Sequence, residues 1–282
     1  MSDSVVAPVA LVTGCSSGFG MLAALELARR GQRVFAMMRD VGRAGRLEEA
    51  AAAEGLDVTV VALDVTDDDS VRNGVGAVLE RAGRLDVVVN NAGVASAGAI
   101  EAVDDAVVRT LFETNVFGVL RVLRATLPTL RAQGSGAVVN VSSLAGLLPG
   151  MPLDGYYYAT KHALEALTEA LAHEVEPFGI RVALVEPGLF KTAIGDNLVT
   201  GADPEVADAY AELTGRRLAR RLSDLDAIGG DPQDVAVAIA DAVTTDRPRL
   251  RWPLGPGSDM VDEVQRLDQE GRAAWVRRRL HG

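Results

Sequence analysis

The stretch VALVTGCSSGFG, residues 9–20, decides the fold. Its first five residues, Val9–Thr13, form an apolar run typical of a strand that is buried on both faces of a parallel sheet. Glycines follow at 14, 18 and 20, where a helical pattern begins. Glycines let the backbone approach a phosphate closely, and the free N–H groups of a helix N-terminus attract negative charge. We therefore expect a dinucleotide pyrophosphate to bind here, at Gly14, Ser16, Ser17, Gly18, Phe19 and Gly20. A glycine-rich turn that serves only tight strand–helix packing is the alternative.

Outward from this turn, short β-branched runs alternate with longer helical patterns. The predicted strands are Val9–Thr13, Arg33–Met38, Val58–Leu63, Asp86–Asn90, Ala137–Ser142 and Ile180–Val185. The predicted helices cover residues 18–30, 41–54, 68–82, 104–131 and 157–177. Such alternation implies right-handed crossovers, and hence an α/β fold of the Rossmann type: a doubly wound parallel sheet with helices on both faces.

The last third of the chain is less regular. Pro204–Leu222 and Pro232–Val243 are predicted to be helices, and Arg249–Leu254 is a candidate edge strand, which brings the sheet to about seven strands. A terminal helix is expected over Ser258–Leu280, with Ser258 as a possible N-cap. Because no Pro/Gly-rich linker divides the chain, we expect one domain over residues 1–282. Residues 193–226 would form a lid over the substrate, and 231–282 a C-terminal extension.

Composition excludes several classes of function. The formal net charge of -11 should repel phosphate backbones and anionic lipid, which argues against nucleic acid and membranes as partners. A single cysteine and three histidines without ligand spacing argue against a disulfide or a metal site. The N-terminus lacks a basic segment, and no apolar run is long enough to cross a bilayer, so a cytoplasmic location is expected.

Two further motifs close predicted strands, and ligands in doubly wound sheets lie beyond the carboxyl ends of strands. The motif Leu63-Asp64-Val65 ends the third predicted strand, and Asp64 and Val65 are expected to contact an adenine there. The alternative is that Asp64 or Thr66 caps the next helix. The sequence NNAG, residues 90–93, places Asn91, Ala92 and Gly93 beside the cofactor. Its asparagines can tie neighbouring loops together, and a purely structural turn is the alternative.

Tyr157 and Lys161 carry the strongest chemical signal. Separated by four residues on a predicted helix, they share one face. A free phenol has a pKa of about 10. A nearby ammonium lowers that pKa, so that Tyr157 can exchange a proton near neutral pH. Ser143, in the upstream sequence NVSSLAG, can donate a hydrogen bond to the reacting oxygen.

Together these motifs resemble the short-chain dehydrogenase/reductase family over residues 7–195, and most closely its hydroxysteroid and retinol dehydrogenase branch. The resemblance implies that Tyr157 is the catalytic acid/base, and that Lys161 holds the nicotinamide ribose and lowers the Tyr157 pKa. It implies that Ser143 positions the carbonyl and that Asn115 supports a water linking Lys161 to solvent. The segment Pro187-Gly188-Leu189 with Thr192 resembles the family's carboxamide-binding segment.

The chain departs from the family at one point. The interval from Ser143 to Tyr157 is one residue longer than usual, and Ser142 is farther still from the tyrosine. Ser143 is preferred because it directly precedes Leu-Ala-Gly. The additional residue should lie in the loop Leu147–Gly155, which should border the substrate.

The second predicted strand indicates which cofactor is used. NAD-preferring members place an acidic residue at its end, where Met38 stands here, and Arg39 follows and can pair with a 2′-phosphate. NADP(H) is therefore expected over NAD(H), unless Asp40 turns inward instead.

The predicted function is an NADP(H)-dependent oxidoreductase that interconverts a ketone or aldehyde with an alcohol. A non-catalytic redox sensor is the alternative, and an epimerase or dehydratase is a weaker one. The resemblance also implies a homodimer or homotetramer paired through helices 104–131 and 157–177.

Overall fold

The seven strands of the described residues are parallel and form one sheet in the order β3-β2-β1-β4-β5-β6-β7. The computed structural model describes residues 7–191 and 198–281. Within them the strands are β1 Val9–Thr13, β2 Arg33–Met38, β3 Val58–Ala62, β4 Val87–Asn90, β5 Gly136–Val141, β6 Ile180–Pro187 and β7 Arg251–Leu254. The predicted α/β fold is confirmed: β1 and β2 have the predicted bounds, and the bounds of the other strands differ by one or two residues.

The helices of the described residues are α1 Gly18–Arg29, α2 Gly45–Glu54, α3 Asp68–Ala82, α4 Asp105–Phe112, α5 Gly118–Gln133, α6 Gly155–Val175, α7 Pro204–Asp208, α8 Ala211–Ile228, α9 Pro232–Thr244, α10 Val261–Gln265 and α11 Gln269–His281. None of them is long and apolar enough to cross a bilayer.

Three predicted helices are interrupted. The helix expected over 104–131 contains a π-helical turn at Glu113–Phe117, and the one over 204–222 is divided between α7 and α8. The terminal helix expected over Ser258–Leu280 is also divided, because residues 266–268 separate α10 from α11. Ser258 does not act as its N-cap: it lies inside a short 3-10 turn, and Gly257 occupies the cap position with a φ of 95°. A hydrophobic pattern continues across such breaks, so periodicity alone does not reveal them.

Each face of the sheet has its own apolar core. Along β1, Ala10 and Val12 pack with α1 and α9, while Val9 and Leu11 pack with α3, α5 and α6. This two-sided burial explains why the strands lack polar alternation. Helix α9, predicted as part of a C-terminal extension, contributes Val235, Ala236 and Ile239 to the first core with no exposed surface.

The strand order positions the site. β1 lies between β2 and β4, so the connections that leave β1 and β4 run to opposite faces of the sheet. A crevice opens at such a switch point, beyond the carboxyl ends of the strands.

Candidate active site

The glycine turn packs directly against the turn that follows β4. A Cβ on Gly14, whose φ is +73°, would lie 2.8 Å from the Ala92 Cα. A Cβ on Gly20 would lie 2.4 Å from the Asn91 Nδ2. Gly18 differs, because its φ of +57° favours glycine while a Cβ there would meet no atom within 4 Å. Glycines 14 and 20 therefore permit tight packing, and Gly18 permits the backbone conformation at the open side of the turn.

Asn91 holds these two turns together. Its Nδ2 donates to the carbonyl oxygens of Thr13, at 2.9 Å, and Gly14, at 3.3 Å. The Thr13 hydroxyl in return accepts from the backbone N–H groups of Asn91 and Ala92, both at 3.0 Å. The loop-tying role predicted for the asparagines is therefore present.

Asp64 is engaged locally and does not cap a helix. Its Oδ1 accepts from the backbone N–H of Thr66, at 2.9 Å, and from the Thr66 hydroxyl, at 2.7 Å. The N-cap of α3 is Asp67, which accepts from the Ser70 N–H at 2.7 Å. The capping alternative for Asp64 and Thr66 is therefore wrong, and Asp64 lines the crevice.

The crevice contains a cavity of about 1270 Å³. This volume is larger than that of pockets for drug-sized ligands, which reach roughly 1,000 Å³. Most of the residues predicted to bind the cofactor line it: Gly14, Ser16, Ser17, Gly18, Phe19, Arg39, Asp64, Val65, Asn91, Ala92, Gly93, Tyr157, Lys161, Pro187, Gly188 and Leu189. Gly20 lies behind this lining. Thr192 lies outside the described residues, as do residues 193–197 of the predicted lid.

Tyr157, Lys161 and Ser143 meet at one wall of this cavity. The Lys161 Nζ lies 5.7 Å from the centroid of the Tyr157 ring and donates to the Val141 carbonyl at 3.1 Å. The Ser143 hydroxyl donates to the Pro187 carbonyl at 3.3 Å and accepts from the Ala145 N–H at 3.1 Å. The three predicted catalytic side chains thus come together from the turn after β5 and from α6.

The three adjacent tyrosines differ in their contacts. The Tyr156 hydroxyl donates to the Ile100 carbonyl at 2.9 Å, and Tyr156 does not line the cavity. Tyr158 does line it, but burial raises the pKa of Tyr158 to about 12 and it is not on the Lys161 face. Tyr157 alone combines the cavity wall with the lysine.

The Tyr157 pKa differs from the sequence-based expectation. Burial raises the pKa of Tyr157, an effect that the Ser143 hydroxyl and the more distant Arg221 charge only partly offset. The pKa of Tyr157 is thus raised, where the sequence predicted that Lys161 would lower it. Burial lowers the pKa of Lys161 itself to about 8, against the opposing charge of Glu165. Desolvation acts on both groups and favours their neutral forms.

Asn115 lies outside the cavity lining and supports it from behind. It occupies the π-helical turn between α4 and α5 and is 1% exposed. Its Oδ1 accepts from the Val94 N–H at 2.9 Å, and its Nδ2 donates to the Val94 carbonyl and the Thr160 hydroxyl at 2.9 and 3.1 Å. Both donor hydrogens are therefore used by protein groups, one of which belongs to Thr160, the residue before Lys161. The water predicted beside Asn115 stays a prediction.

Three charged residues line the cavity beyond the end of β2: Arg39, Asp40 and Arg43. Neither arginine has an ion-pair partner within the residues described. One Asp40 carboxylate oxygen caps the 3-10 turn Val41–Arg43 by accepting from the Gly42 N–H at 2.9 Å. Arg43 was not predicted from the sequence. It ends the 3-10 turn, four residues after Arg39, and lines the cavity.

Phe190 was also missed by sequence reasoning. Its ring meets the Phe19 ring edge to face, with the centroids 5.7 Å apart, and so joins the glycine turn to the segment after β6. The loop Leu147–Gly155 borders the cavity as expected, through Leu148, Leu153 and Asp154. Leu153 has a φ of 70°, a conformation that leucine rarely adopts, and its carbonyl accepts from the Gly98 N–H at 2.7 Å.

A buried carboxylate cluster lies one helical turn beyond Lys161. The Arg251 guanidinium contacts Glu165, Glu169 and Glu186, and the Glu186 Oε2 also accepts from the Trp252 N–H at 2.7 Å. One guanidinium cannot balance three carboxylates. Burial, reinforced by the nearby Glu165, accordingly raises the pKa of Glu186 to about 8. The sequence feature that could have indicated this cluster is Glu186, a carboxylate inside the apolar run of β6.

The described geometry matches a known family. A family model described as short chain dehydrogenase matches residues 8–203. This chain belongs to the short-chain dehydrogenase family. Curated relatives span most of its length. It is 41% identical over 254 residues to the uncharacterized oxidoreductase YusZ of Bacillus subtilis, covering 88% of this chain and 89% of that protein.

Two human relatives lie in the branch that the motifs indicated. Human retinol dehydrogenase 8 is 37% identical, with 93% of this chain and 86% of that protein covered. Human 17-beta-hydroxysteroid dehydrogenase type 1 is also 37% identical, with 86% and 76% covered. The predicted family and branch are confirmed, and the chain is an oxidoreductase that acts on CH–OH/C=O groups.

Solved structures agree with this assignment. A short-chain dehydrogenase from Streptomyces avermitilis superposes with a TM-score of 0.78 at 40% identity, covering 99% of this chain and 96% of that one. A short-chain dehydrogenase/reductase from Burkholderia phymatum in complex with NAD superposes with a TM-score of 0.80 at 29% sequence identity, covering 92% of each chain. An alcohol dehydrogenase from Thermococcus sibiricus with 5-hydroxy-NADP superposes with a TM-score of 0.72 at 27% sequence identity, covering 89% of this chain and 97% of that one. The cofactor of this short-chain dehydrogenase is a nicotinamide dinucleotide.

Proposed function

We propose that this short-chain dehydrogenase interconverts a ketone or aldehyde with the corresponding alcohol, using NADP(H) and with Tyr157 as proton donor or acceptor. The observation that carries the proposal is the convergence of Tyr157, Ser143 and Lys161 on one cavity wall opposite the glycine turn. A purely structural Tyr–Lys pair would not require Ser143 at the same wall.

The side chains divide the work. The Ser143 and Tyr157 hydroxyls hold the substrate oxygen, and Tyr157 gives it a proton in reduction or takes one in oxidation. The buried Lys161 stabilises the phenolate when it is charged. A bound nicotinamide supplies or accepts the hydride. Asn115 fixes Thr160, the residue before Lys161, and thereby the position of the lysine.

The residues present fit a dinucleotide. Gly18 opens the turn at the start of α1, where backbone N–H groups face the cavity. Asp64 keeps one carboxylate oxygen that makes no hydrogen bond within the described residues, and it faces the same cavity. Lys161 lies at the opposite end, where a ribose hydroxyl can accept from its ammonium.

Arg39 and Arg43 support NADP(H) over NAD(H). Two guanidinium groups without ion-pair partners among the described residues suit a 2′-phosphate, which they can bind with paired hydrogen bonds. The related structures hold either form of the cofactor, so the preference rests on these two arginines.

The names of the relatives favour an apolar substrate. They include a retinol dehydrogenase, a hydroxysteroid dehydrogenase and, at 34% identity, the 3-ketodihydrosphingosine reductase of Bacteroides thetaiotaomicron. All three names refer to largely hydrocarbon molecules with one reacting oxygen.

The test is a panel of steroid, retinoid and aliphatic ketones and alcohols, assayed by cofactor absorbance with NADP(H) and NAD(H). We expect turnover of at least one apolar class, with NADP(H) the better cofactor. Tight cofactor binding without turnover of any member would favour the redox-sensor alternative.

We also propose a homodimer or homotetramer in the cytoplasm. The π-helical turn before α5, helix α6 and the turn after α6 expose Phe117, Leu167 and Phe178 by 47%, 40% and 42%. A symmetric interface would bury them. Light scattering at micromolar concentration should give a multiple of 29.6 kDa, and a monomeric mass would contradict the proposal.

A further inference from the structure

Helix α8 covers the substrate end of the cavity with a single face. The residues of α8 that line the cavity are Thr214, Arg217, Leu218, Arg221, Leu222, Asp224 and Leu225. All of them except Asp224 follow one another at spacings of three or one residue, which places them on one side of the helix. This face combines leucines with two arginines, while Leu213 packs against the apolar cluster of Ala99, Ala102 and Leu153.

Two leucines of this face are only partly covered by protein. Leu218 and Leu222 line the cavity and yet remain 55% and 57% exposed. The opposite wall is also apolar, built from the buried Leu144, Leu148 and Leu153. An apolar ligand body between these walls would cover both sides, and that burial is favourable in proportion to the area removed from water.

The two arginines of this face differ. Arg217 donates to the Asp154 carboxylate at 2.5 Å, and Asp154 is only 6% exposed, so this pair is a closed contact between α8 and the residue before α6. Arg221 has no ion-pair or hydrogen-bond partner within residues 7–191 and 198–281, although it lines the same cavity. The other arginines of α8, Arg216 and Arg220, pair with Glu212 and Asp224 on their own helix.

Arg221 is also within electrostatic range of the reacting group. Its charge lowers the pKa of both Tyr157 and Tyr158, although burial outweighs it in each case. The same cavity therefore holds a proton donor, apolar walls and an arginine without a protein partner among the described residues. Asp224, the acidic residue that α8 adds to the cavity, is already paired with Arg220.

We propose that the substrate is an elongated carbonyl or alcohol with a hydrocarbon body and a terminal anionic group, and that Arg221 binds this anion while the carbonyl lies against Tyr157 and Ser143. The proposal rests on the proposed function, because it specifies the substrate class of the same site. Carboxylate, phosphate and sulfate share the chemistry, since a guanidinium binds each with paired, charge-assisted hydrogen bonds.

The test uses linear methyl ketones that end in a carboxylate, in a series of chain lengths, each with its methyl ester as the neutral match. Steady-state kinetics with NADPH give kcat and KM for both members of each pair. Calorimetric binding of the keto acids to Tyr157→Phe enzyme, with NADP bound, adds a measurement that does not depend on turnover.

At the favoured chain length, wild-type enzyme should show kcat/KM about tenfold higher for the acid than for the ester, as expected for a hydrogen bond to a charged group. Arg221→Gln should remove this preference through KM, and should weaken keto-acid binding to the same extent. Arg221→Lys should restore most of it. Arg216→Gln, one helical turn away and outside the cavity, is the matched control and should keep the wild-type preference.

Two results would overturn the proposal. One is an acid-to-ester ratio that is the same in wild type and Arg221→Gln at every chain length. The other is an Arg221→Gln variant in which kcat for the neutral ester falls and its pH profile shifts, because Arg221 would then act on Tyr157 and not on an anion. Absence of turnover with the whole panel would count against the proposed function, and calorimetry would still decide whether Arg221 binds the carboxylate.

Discussion

The two walls of the cavity are built in opposite ways. The cofactor wall consists of turns at the ends of buried strands, and its atoms are held by hydrogen bonds such as those of Asn91 and Lys161. The other wall, named the lid wall after the predicted lid, is helix α8, which has no buried residue along its length. It is attached through Arg217 to Asp154, and through α7 and Tyr210 to the segment around Ala99–Ala102.

The construction of each wall indicates whether it serves the chemical step or substrate binding. Preorganised groups at strand ends suit chemistry, because they need little reorganisation during the reaction. A lid with exposed leucines gains its full burial only when a ligand is present. Substitutions on the cofactor wall should therefore change the rate of chemistry, and substitutions on the lid wall should change substrate binding.

The largest effect is expected at the strand-end wall, from Tyr157→Phe. The ring is kept and the exchangeable proton is lost, so kcat should fall at least ~100-fold. Cofactor binding, measured by fluorescence titration, should be nearly unchanged. Tyr156→Phe is the matched control, since its hydroxyl contacts only the Ile100 carbonyl. Wild-type activity in Tyr157→Phe together with an inactive Tyr156→Phe would identify the other tyrosine as the catalytic one.

The second effect concerns the adenosine end of the same wall. Arg39→Ala should lower kcat/KM with NADP(H) about tenfold, the loss expected for a hydrogen bond to a charged group, and leave NAD(H) nearly unchanged. Arg43→Ala should act in the same direction, and the double variant should lose most of the discrimination. A wild-type preference for NAD(H), or unchanged NADP(H) efficiency in Arg39→Ala, would refute the cofactor assignment.

The third prediction concerns the ion pair between Arg217 of α8 and Asp154. Arg217→Gln leaves the buried Asp154 without its cation, which is costly for a desolvated carboxylate. We expect KM to rise roughly threefold to tenfold for every substrate, neutral or anionic, because lid closure becomes harder. Limited proteolysis should cut the region 198–228 faster than in wild type, while Arg216→Gln should behave as wild type. Unchanged KM and protease resistance would show that this ion pair does not hold the lid.

The smallest effect on turnover is expected from the buried cluster behind Lys161. Because the pKa of Glu186 is raised from 4.5 to about 8, the folded state holds a proton that the unfolded state releases. This group's contribution to stability is therefore complete below about pH 4.5, and is lost as pH rises toward 8.

Glu186→Gln removes that dependence, so its stability relative to wild type should improve from about pH 5 to pH 8, by at most ~1.4 kcal/mol per pH unit. Denaturant unfolding across this range, with kcat as the control, is the measurement. Parallel stability curves for the two proteins would mean that Glu186 is ionised throughout.

The sequence by itself determined the sheet and the cofactor wall. Uninterrupted apolar runs such as Val9–Thr13 report burial on both faces, and the motifs that close them must meet because parallel strands end at one edge. Gly14, Asn91, Ser143 and Tyr157 were therefore placed correctly without coordinates. Each of these signals is local, read within a few residues of the chain.

Tertiary structure decided the rest, because it depends on partners that are distant in sequence. Arg217 and Arg221 are alike in the sequence, and only the approach of Asp154, 63 residues away, makes one a structural ion pair and leaves the other facing the cavity. The π-helical turn that holds Asn115 and the breaks in the terminal helix interrupt hydrophobic patterns that continue across them. The raised pKa values of Tyr157 and Glu186 likewise follow from desolvation, which is a property of the packed interior and not of the residue.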